Sequence, residues 1–581
     1  MKHFPLAKLA AALTVVSSGA ALAVPLDIAT YDETDVNQTT LYVGGATAQD
    51  PGLERFMALN AANNGICVDG SLSIYRANLD ANGDLPQRLY YCTGNANAGV
   101  NNGKRIALQK GSTGGSGNGV GPIARPSTIT IPLWNVAALT AGGGFTCASS
   151  TLIPASGSFA EFTDNLGCTN ATFTTSDTRP LEAGISDLEP NAFKGAFNPI
   201  LSTAELGALN QASIAGTVFG IPVTKQVYKR MQAISFDPAT SACNPNNAGY
   251  LGFGLGGLAQ AQTIDMSLGC MPSLTDEQAA AIYSGNGGWT KWSNLKAPVS
   301  ANLAAGTNLV NVAMPAGTPA LIDAIEICRR SNTSGTQTTF QSFFLRQLAT
   351  NSAGVADRCV TGGPSFRGIS TNGGTIVQSS GGSPGVVACI NGDNNDDVTA
   401  ATPPGKDNTG AIVNYPIGST VGTIGVLSLE FPPTASDEYA FVKLNGHPPC
   451  MLDIVRSDYD LFAESTMQYR NAAVGAAPAL SANPNKLALA NAIRTRLGQP
   501  ATVQDINSGF LPIAACSARG TAVLAANAIT NIAAAPVAPF VVGGGGTGDV
   551  TLHPVLTKSR FSGTANVCAP LREVSPTEMT F

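Results

Sequence analysis

The chain has 581 residues, a formal net charge of −6 and 12% charged residues. This length allows about three or four domain-sized units, and the absence of a lysine and arginine cluster disfavours nucleic acid or an anionic membrane as a partner. Twelve cysteines, none in a Cys-x-x-Cys pair, favour disulfides over metal ligation, and only His447 and His553 lie beyond residue 23. We therefore expect no metal, no other cofactor and no histidine-dependent catalysis.

Residues 1–23 have the layout of a cleaved export signal. Lys2 and Lys8 precede the apolar run Leu9–Val16, and Ala21-Leu22-Ala23 offers small residues for cleavage. That run is too short to cross a bilayer, and no later stretch approaches ~20 uninterrupted apolar residues. The sequence predicts a periplasmic or extracellular protein, released after cleavage near Ala23 and without membrane insertion.

The first predicted element of the mature chain is a strand that enters a glycine-rich turn, over residues 40–48. Asp50 can cap a following helix whose first position is Pro51. Thr47 and Ala48 would then lie between the end of a strand and the start of a helix, where α/β sheets bind anions. A tight turn that merely contains a threonine explains this stretch equally well.

A second strand, over residues 105–108, runs into the Gly/Ser-rich turn 110–117. Such a turn directs several N–H groups at one point, which is the geometry of an anion-binding nest, although plain linkers have the same composition. Ser112 and Thr113 are the candidates here. A third short strand ends in Ser186-Asp187 and is stopped by Pro190.

Cysteine pairs bound two stretches that have the polar composition of insertions. Cys67 and Cys92 lie in the first, near 67–103, and Cys147 and Cys168 lie in the second, near 140–175. We predict a local disulfide in each. The connectivity of the other cysteines stays open.

A separate α/β region is predicted from about Gly216. Within it, Thr275-Asp276-Glu277-Gln278 forms a capping box for a helix that Gly285 ends. Trp289 and Trp292 follow, and a helix–loop packing pair is favoured for them over a stacking platform for sugars.

The most informative stretch is residues 329–336, Arg-Arg-Ser-Asn-Thr-Ser-Gly-Thr. An apolar strand precedes it, and Phe340, Phe343, Phe344 and Leu348 recur at helical spacing after it. Ser334, Gly335 and Thr336 therefore lie where a helix begins, with unpaired N–H groups, a partial positive charge and the Arg330 guanidinium close by. The plainer interpretation is that Ser334 is an N-cap and Arg330 a surface residue.

Four other motifs are set aside. Residues 80–84 and 393–397 have the alternating oxygen ligands of calcium loops, but both lack the distal Glu, so Asx turns are favoured. Residues 252–257 match a dinucleotide fingerprint without a preceding strand. Residues 381–385 match a nucleophile elbow, but their flanks have the composition of loops, and 381–418 is predicted to be an insertion.

In this order, these segments resemble the periplasmic phosphate-binding proteins of ABC importers. That family has a Gly-Ala-Gly-Ala-Thr/Ser turn, a Gly-Ser-Ser/Thr-Gly-Gly turn, a Ser-Asp strand end, an Ile-Tyr-x-Gly helix exit and an Arg-Arg-x-Asp-x-Ser-Gly-Thr loop. The matching stretches are 44–47, 111–115, 186–187, 282–285 and 329–336, with 422–426 similar to the family's Gly-Ala-Ile-Gly-Tyr strand. Asn332 in place of Asp, and Ala48 in place of Phe, depart from the pattern.

The resemblance implies an α/β fold of the two-lobed class II periplasmic-binding-protein type, with disulfide-bounded insertions. Lobe I would comprise residues 24–215 and the return and C-terminal extension 450–581. Lobe II would comprise residues 216–449.

The resemblance also implies a ligand-binding set for phosphate or a similar oxyanion: Thr47, Ala48, Ser112, Thr113, Asp187, Arg330, Ser334, Gly335 and Thr336. The expected function is non-catalytic binding, with an importer permease as a possible partner. Two alternatives stay open, namely a secreted phosphatase-like relative and a cell-surface or filament component on the same scaffold.

Overall fold

The structure is a computed structural model that describes part of the chain. The described residues are 26–77, 87–112, 114–126, 131–133, 136, 146–147, 153–154, 160–161, 166–169, 178–193, 201–250, 264–284, 289–330, 333–344, 349–350, 356–357, 376–380, 382–393, 404–406, 412–414, 419–429, 431, 433, 437–450, 453, 458–474, 478–499, 502, 572–575 and 578–580. The predicted leader, Thr113, and the motifs at 80–84 and 252–257 lie outside them, as do residues 394–397.

Fifteen strands form one large sheet, and we number them in chain order. They are β1 Gln38–Gly45, β2 Ser73–Ala77, β3 Gln87–Thr93, β4 Arg105–Gly111, β5 Thr146–Cys147, β6 Leu166–Thr169, β7 Ala183–Ser186, β8 Leu209–Thr224, β9 Ser273–Leu274, β10 Ala320–Arg330, β11 Ile376–Ser380, β12 Ser419–Gly425, β13 Leu427–Ser428, β14 Tyr439–Leu444 and β15 Phe462–Arg470. Five separate two-stranded ribbons pair Ile131–Pro132 with Thr178–Arg179, Ile153–Pro154 with Ala160–Glu161, Ala349–Thr350 with Ala356–Asp357, Pro404–Lys406 with Ile412–Asn414, and Arg572–Ser575 with Glu578–Thr580.

The α-helices of the described residues are α1 Asp50–Ala58, α2 Gly121–Ala124, α3 Thr203–Gly207, α4 Lys225–Ser235, α5 Asp276–Ser284, α6 Gly335–Phe344, α7 Ser383–Asp393 and α8 Pro484–Leu497. Short 3₁₀ helices lie at Ile28–Thr30, Thr47–Gln49, Ala61–Asn63, Ala96–Asn101, Gly115–Gly119, Pro190–Ala192, Trp292–Asn294, Val299–Ala301 and Leu480–Ala482.

Two halves of the sheet repeat one arrangement. In the first half, β4, β1 and β7 are parallel neighbours, and the antiparallel strand β15 follows β7. In the second half, β11, β10 and β12 are parallel neighbours, and the antiparallel strand β8 follows β12. The predicted α/β fold with two lobes is confirmed by this repeat.

The halves are joined by β8, which is long enough to belong to both. Its first part pairs with β15 and its last residues pair with β12 and β14, so one strand runs from one half into the other. Two buried apolar clusters pack against the sheet. One lies in the first half and includes Leu41, Val43, Phe56, Leu489 and Ile493. The other is built mainly from the second half, with Val223, Ile327, Phe340, Val386 and Ile390, and extends into the first half through residues such as Tyr42 and Ile123. The lobe boundaries at 215 and 449 stay predictions.

Two predictions of local structure in the second half are confirmed, namely the capping box of α5 and the packing role of the tryptophans. The Thr275 hydroxyl accepts from the Gln278 amide, the Gln278 side chain accepts from the Thr275 amide, and the helix ends at Ser284. Trp292 is fully buried and donates through Nε1 to the Gly422 carbonyl at 2.9 Å. It is a packing residue and not a stacking platform.

The description of residues 381–385 as flanked by loop sequence is wrong. Strand β11 ends at Ser380, residues 383–385 form the first turn of helix α7, and Val386 and Ile390 of that helix are fully buried. The helix therefore packs into the second core within the stretch 381–418 that the sequence predicted to be an insertion. The polar sequence of β11, Ile-Val-Gln-Ser-Ser, carries little of the apolar signal by which buried strands are recognised.

Among the described cysteines, the predicted Cys67–Cys92 bridge is confirmed. The bridges Cys243–Cys270 and Cys328–Cys389 were not readable from spacing, and Cys450 is also disulfide-bonded. Cys147 and Cys168 are opposite each other in the antiparallel pairing of β5 with β6, and their disulfide stays a prediction. The Cys328–Cys389 bridge ties β10 to α7.

Candidate functional site

Three of the predicted site segments follow neighbouring strands of the first half. In the parallel register, Gly44 of β1 lies opposite Gly111 of β4, and Gly45 lies opposite Ile185 of β7. The carboxyl ends of these strands therefore share one edge of the sheet. This is the edge where open α/β sheets bind their ligands. Ser112 and Asp187 come directly after the ends of β4 and β7, and Thr47 follows the end of β1 by two residues. Ala48 is fully buried beside Thr47.

Arg330 reaches this edge from the second half. It is the last residue of β10 and is only 1% exposed. Its Nη2 atom donates to Thr47 Oγ1 at 2.9 Å, and its Nη1 atom donates to Ser383 Oγ at 2.8 Å. The plainer interpretation of Arg330 as a surface residue is wrong, because a buried guanidinium here connects both halves of the sheet.

The loop after β10 meets the turn after β4. The Gly117 amide donates to the Thr333 carbonyl at 2.8 Å, and the Thr333 hydroxyl donates to the Gly114 carbonyl. Helix α6 then begins at Gly335, as the sequence predicted. Ser334 is buried at the start of this helix, and the Ser334 hydroxyl accepts from the Gln337 amide at 3.4 Å. The first-turn amides of Gly335 and Thr336 have no intrahelical acceptor.

Asp187 lies against the start of α6. A Cβ atom on Gly335 would stand 2.6 Å from Asp187 Oδ2 and 2.2 Å from Ser116 Oγ, so only glycine allows this approach. The Asp187 amide donates to Ser116 Oγ at 3.1 Å. The carboxylate is 2% exposed, and burial raises its pKa, although the Ser116 hydroxyl, the Arg330 guanidinium and the Gln49 side chain act to lower it.

The raised pKa of Asp187 predicts a pH-dependent stability. A carboxyl group whose folded pKa exceeds its ordinary 3.8 favours folding when protonated, so its contribution is lost as pH rises through the folded pKa. We expect Asp187→Asn to raise the melting temperature of the phosphate-free protein at pH 7, because the cost of burying a charge is removed. Thermal unfolding between pH 4 and 8 should show this gain shrinking towards pH 4. A gain that is constant with pH would contradict the prediction.

Among the residues described, the polar atoms that are buried here without a hydrogen-bond partner include Asp187 Oδ1 and Thr336 Oγ1. Buried polar atoms are almost always hydrogen-bonded, so unpaired ones are expected where a ligand binds. A carboxylate oxygen can accept a proton from a ligand, and a hydroxyl can both donate and accept.

Several residues of this region were missed by the sequence analysis. Asp50 was predicted to be an N-cap, but it makes no capping hydrogen bond, and helix α1 begins at Asp50 itself. Its carboxylate is instead contacted by Arg88 and Lys110. Ser383 was set aside with the rejected elbow motif. Its hydroxyl accepts from the Arg330 guanidinium, a cation that cannot take its proton.

Two other features of the described residues lie apart from this set. A cavity of about 370 Å³ is lined by residues such as Met231, Met271 and Leu274, with Lys296 and Lys443, and by none of the predicted site residues. Ligand atoms of His447, Asp453 and Asp458 lie within 4.8 Å of one another. Acidic side chains often cluster without an ion, and we assign no metal to this group.

No family model matches the chain, and no curated protein matches it. Among solved structures, a high-affinity periplasmic phosphate-binding protein bound with phosphate, PfluDING, is similar at 14% identity, with 85% of this chain and 96% of that chain covered and a TM-score of 0.34. A phosphate-binding protein from Stenotrophomonas maltophilia has 12% identity, coverages of 74% and 79%, and a TM-score of 0.30. An ABC-type phosphate transport receptor from Vibrio cholerae has 12% identity, coverages of 54% and 74%, and a TM-score of 0.25.

In the part of the chain that the structure describes, every helix is too short or too polar to cross a bilayer.

Proposed function

We propose that this protein binds phosphate, without catalysis, between the two halves of its sheet. The observation that carries the proposal is the pair of unpartnered buried atoms, Asp187 Oδ1 and Thr336 Oγ1, at a helix start beside the buried Arg330 guanidinium. The proposed ligand-binding set is Thr47, Ala48, Ser112, Thr113, Asp187, Arg330, Ser334, Gly335 and Thr336. Export, and delivery of the anion to an importer permease, are part of the proposal.

The chemistry of this set suits an oxyanion. Arg330 supplies charge-assisted donors, and the amides of Gly335 and Thr336 point out of a helix N-terminus, where negative charge is favoured. Each hydrogen bond to a charged group contributes roughly 1.5–3 kcal/mol net. Several of them together supply the ~8 kcal/mol of a micromolar site, even after the losses of freedom on binding.

The Asp187 carboxylate favours binding of phosphate over binding of an anion that carries no proton. A buried carboxylate repels an anion unless the ligand brings a proton for it to accept. At neutral pH phosphate carries such a proton and sulfate does not. Against sulfate, the Asp187 acceptor would stay buried and unpaired, which costs about 1–3 kcal/mol before the repulsion of like charges is counted.

Isothermal titration of the purified protein with phosphate, sulfate and arsenate tests the proposal. We expect saturable heat with phosphate and with arsenate, which also carries a proton, and little or none with sulfate. Absence of phosphate binding by folded protein would contradict the proposed function. Hydrolysis of a phosphomonoester that is lost in Ser334→Ala would contradict its non-catalytic character.

A further inference from the structure

A second buried carboxylate lies beside the candidate site, at the start of helix α1. Asp50 is 2% exposed, and Lys110, which is fully buried, places its Nζ atom 3.0 Å from Asp50 Oδ1. Arg88 donates to Asp50 Oδ2. Ser112 Oγ lies 2.6 Å from the same oxygen. One carboxylate is thus held by a guanidinium, an ammonium and a hydroxyl at a helix N-terminus, which is the donor set of an anion site.

The direction of the Ser112 hydrogen bonds follows from its neighbours. Lys110 Nζ is 3.2 Å from Ser112 Oγ, and Arg88 Nη1 is 3.4 Å from it. Charged lysine and arginine side chains only donate, so the Ser112 oxygen accepts from both. Its single proton is donated to Asp50. In this arrangement the Ser112 hydroxyl has no proton for another acceptor.

The cluster is continuous with the turn that carries Thr47. Lys110 Nζ also donates to the Gly45 carbonyl at 2.8 Å and to the Ala46 carbonyl at 3.2 Å. These two peptide groups immediately precede Thr47, whose hydroxyl accepts from Arg330. The charges of Lys110, Arg88 and Asp50 therefore lie at the strand edge where the proposed anion binds.

Two largely buried cations, Arg88 and Lys110, lie against the carboxylate of Asp50. Glu54, one turn along α1, forms a longer ion pair with Arg88, whose Nε atom lies 3.8 Å from Glu54 Oε2. Burial lowers the pKa of Lys110, and the adjacent Asp50 carboxylate opposes that shift, so the carboxylate helps to keep this buried lysine charged.

We propose that Asp50 is a built-in competitor of the bound anion that sets the affinity of the site. It takes the Ser112 proton and neutralises one of the two buried cations, so that Ser112 contributes its backbone amide but no hydroxyl hydrogen bond to the ligand. This inference rests on the proposed phosphate-binding function and deepens it.

The first test is phosphate titration of Asp50→Asn beside the unchanged protein and the control Glu54→Gln. Removing the competing charge should tighten phosphate binding about tenfold or more, since the Ser112 hydroxyl and the Arg88 guanidinium, which stays charged without Asp50, become available to the ligand. The melting temperature of Asp50→Asn should be lower without phosphate and should rise more on adding it. Glu54→Gln removes a carboxylate of the same helix whose ion pair with Arg88 is longer, and its phosphate affinity should change less than about twofold.

The second test is phosphate titration of Ser112→Ala, which tests the competitor role of Asp50 even if Asp50→Asn does not fold. Alanine keeps the Ser112 backbone amide, through which this residue belongs to the proposed ligand-binding set. In the otherwise unchanged protein the substitution should cost less than about threefold in phosphate affinity, because the hydroxyl proton is already held by Asp50. A loss of tenfold or more there would overturn the inference. In the Asp50→Asn background the same substitution should cost about tenfold, which makes the two positions measurably coupled.

The outcomes separate this inference from the proposed function. If the unchanged protein binds phosphate and Asp50→Asn binds it equally or more weakly, only the competitor role is wrong. If only Asp50→Asn binds phosphate, the competitor role is supported and native phosphate binding is contradicted. If neither folded protein binds phosphate, both proposals are wrong.

Discussion

Replacing Arg330 with alanine is expected to lower phosphate affinity about a hundredfold or more. The guanidinium is the buried cation of the proposed ligand set, and its loss removes one or two charge-assisted hydrogen bonds of roughly 1.5–3 kcal/mol each. Alanine also removes the contacts from β10 to Thr47 and Ser383. The measurement is the dissociation constant for phosphate by titration calorimetry.

Arg329→Ala is the matched control. Arg329 precedes Arg330 on the same strand, so its side chain points to the opposite face of the sheet. It is also partly buried, and burial lowers its pKa. We expect it to affect stability while leaving phosphate affinity within about threefold. Equal losses in the two variants would show that the arginine pair supports the strand and not the ligand.

Arg330→Lys refines the result. Lysine keeps the charge but carries its donors on one nitrogen in place of a planar fork of separated nitrogens, so it cannot reproduce the bidentate geometry of the guanidinium. We expect affinity between that of Arg330→Ala and the unchanged protein. Full recovery with lysine would mean that only charge matters at this position.

The sequence predicted the strand ends well because the signals there are local. An apolar run followed by glycine and a hydroxyl residue specifies a strand and its turn within about ten residues, as at 40–48 and 105–113. Three such strands turned out to be parallel neighbours, and parallel order puts their carboxyl ends on one edge. The same reasoning placed Ser334 and Gly335 at the start of α6.

The cluster of Asp50, Arg88 and Lys110 could not be predicted in the same way. Asp50 before Pro51 matches the local pattern of a helix cap. Because this local pattern accounts for the residue, the sequence gives no reason to expect its contacts with Arg88 and Lys110. The cluster depends on β3 lying beside β4 and on α1 covering their ends, which no spacing in the sequence specifies. Buried charges give no hydrophobic periodicity, so only the pairing itself identifies them.

The remaining errors also come from tertiary context. Polar β11 has little strand signal, yet it pairs with β10 over five residues and so positions Ser383 beside Arg330. The Cys328–Cys389 disulfide joins cysteines 61 residues apart, and spacing cannot choose such a partner among twelve cysteines.

Asp187→Asn is expected to abolish most of the discrimination between phosphate and sulfate. Its carboxylate can only accept, so it accepts a proton from phosphate and repels sulfate. Asparagine has the same shape, removes the repulsion and can donate to a sulfate oxygen. The ratio of the two dissociation constants should fall about a hundredfold or more, because a mismatched buried polar group is among the strongest sources of selectivity.

The control for Asp187→Asn is Glu182→Gln. Glu182 comes just before β7, and burial raises its pKa as it does for Asp187, but its Oε1 atom lies 2.6 Å from Lys486 Nζ of α8, away from the proposed ligand. Its loss should change stability and leave the selectivity ratio unchanged. If Asp187→Asn bound phosphate and sulfate in the native ratio, the carboxylate would not face the anion, and the selectivity would have to come from Arg330 and the hydroxyls alone. Those donors serve both anions, so without Asp187 no group of the proposed set distinguishes a ligand that carries a proton from one that does not.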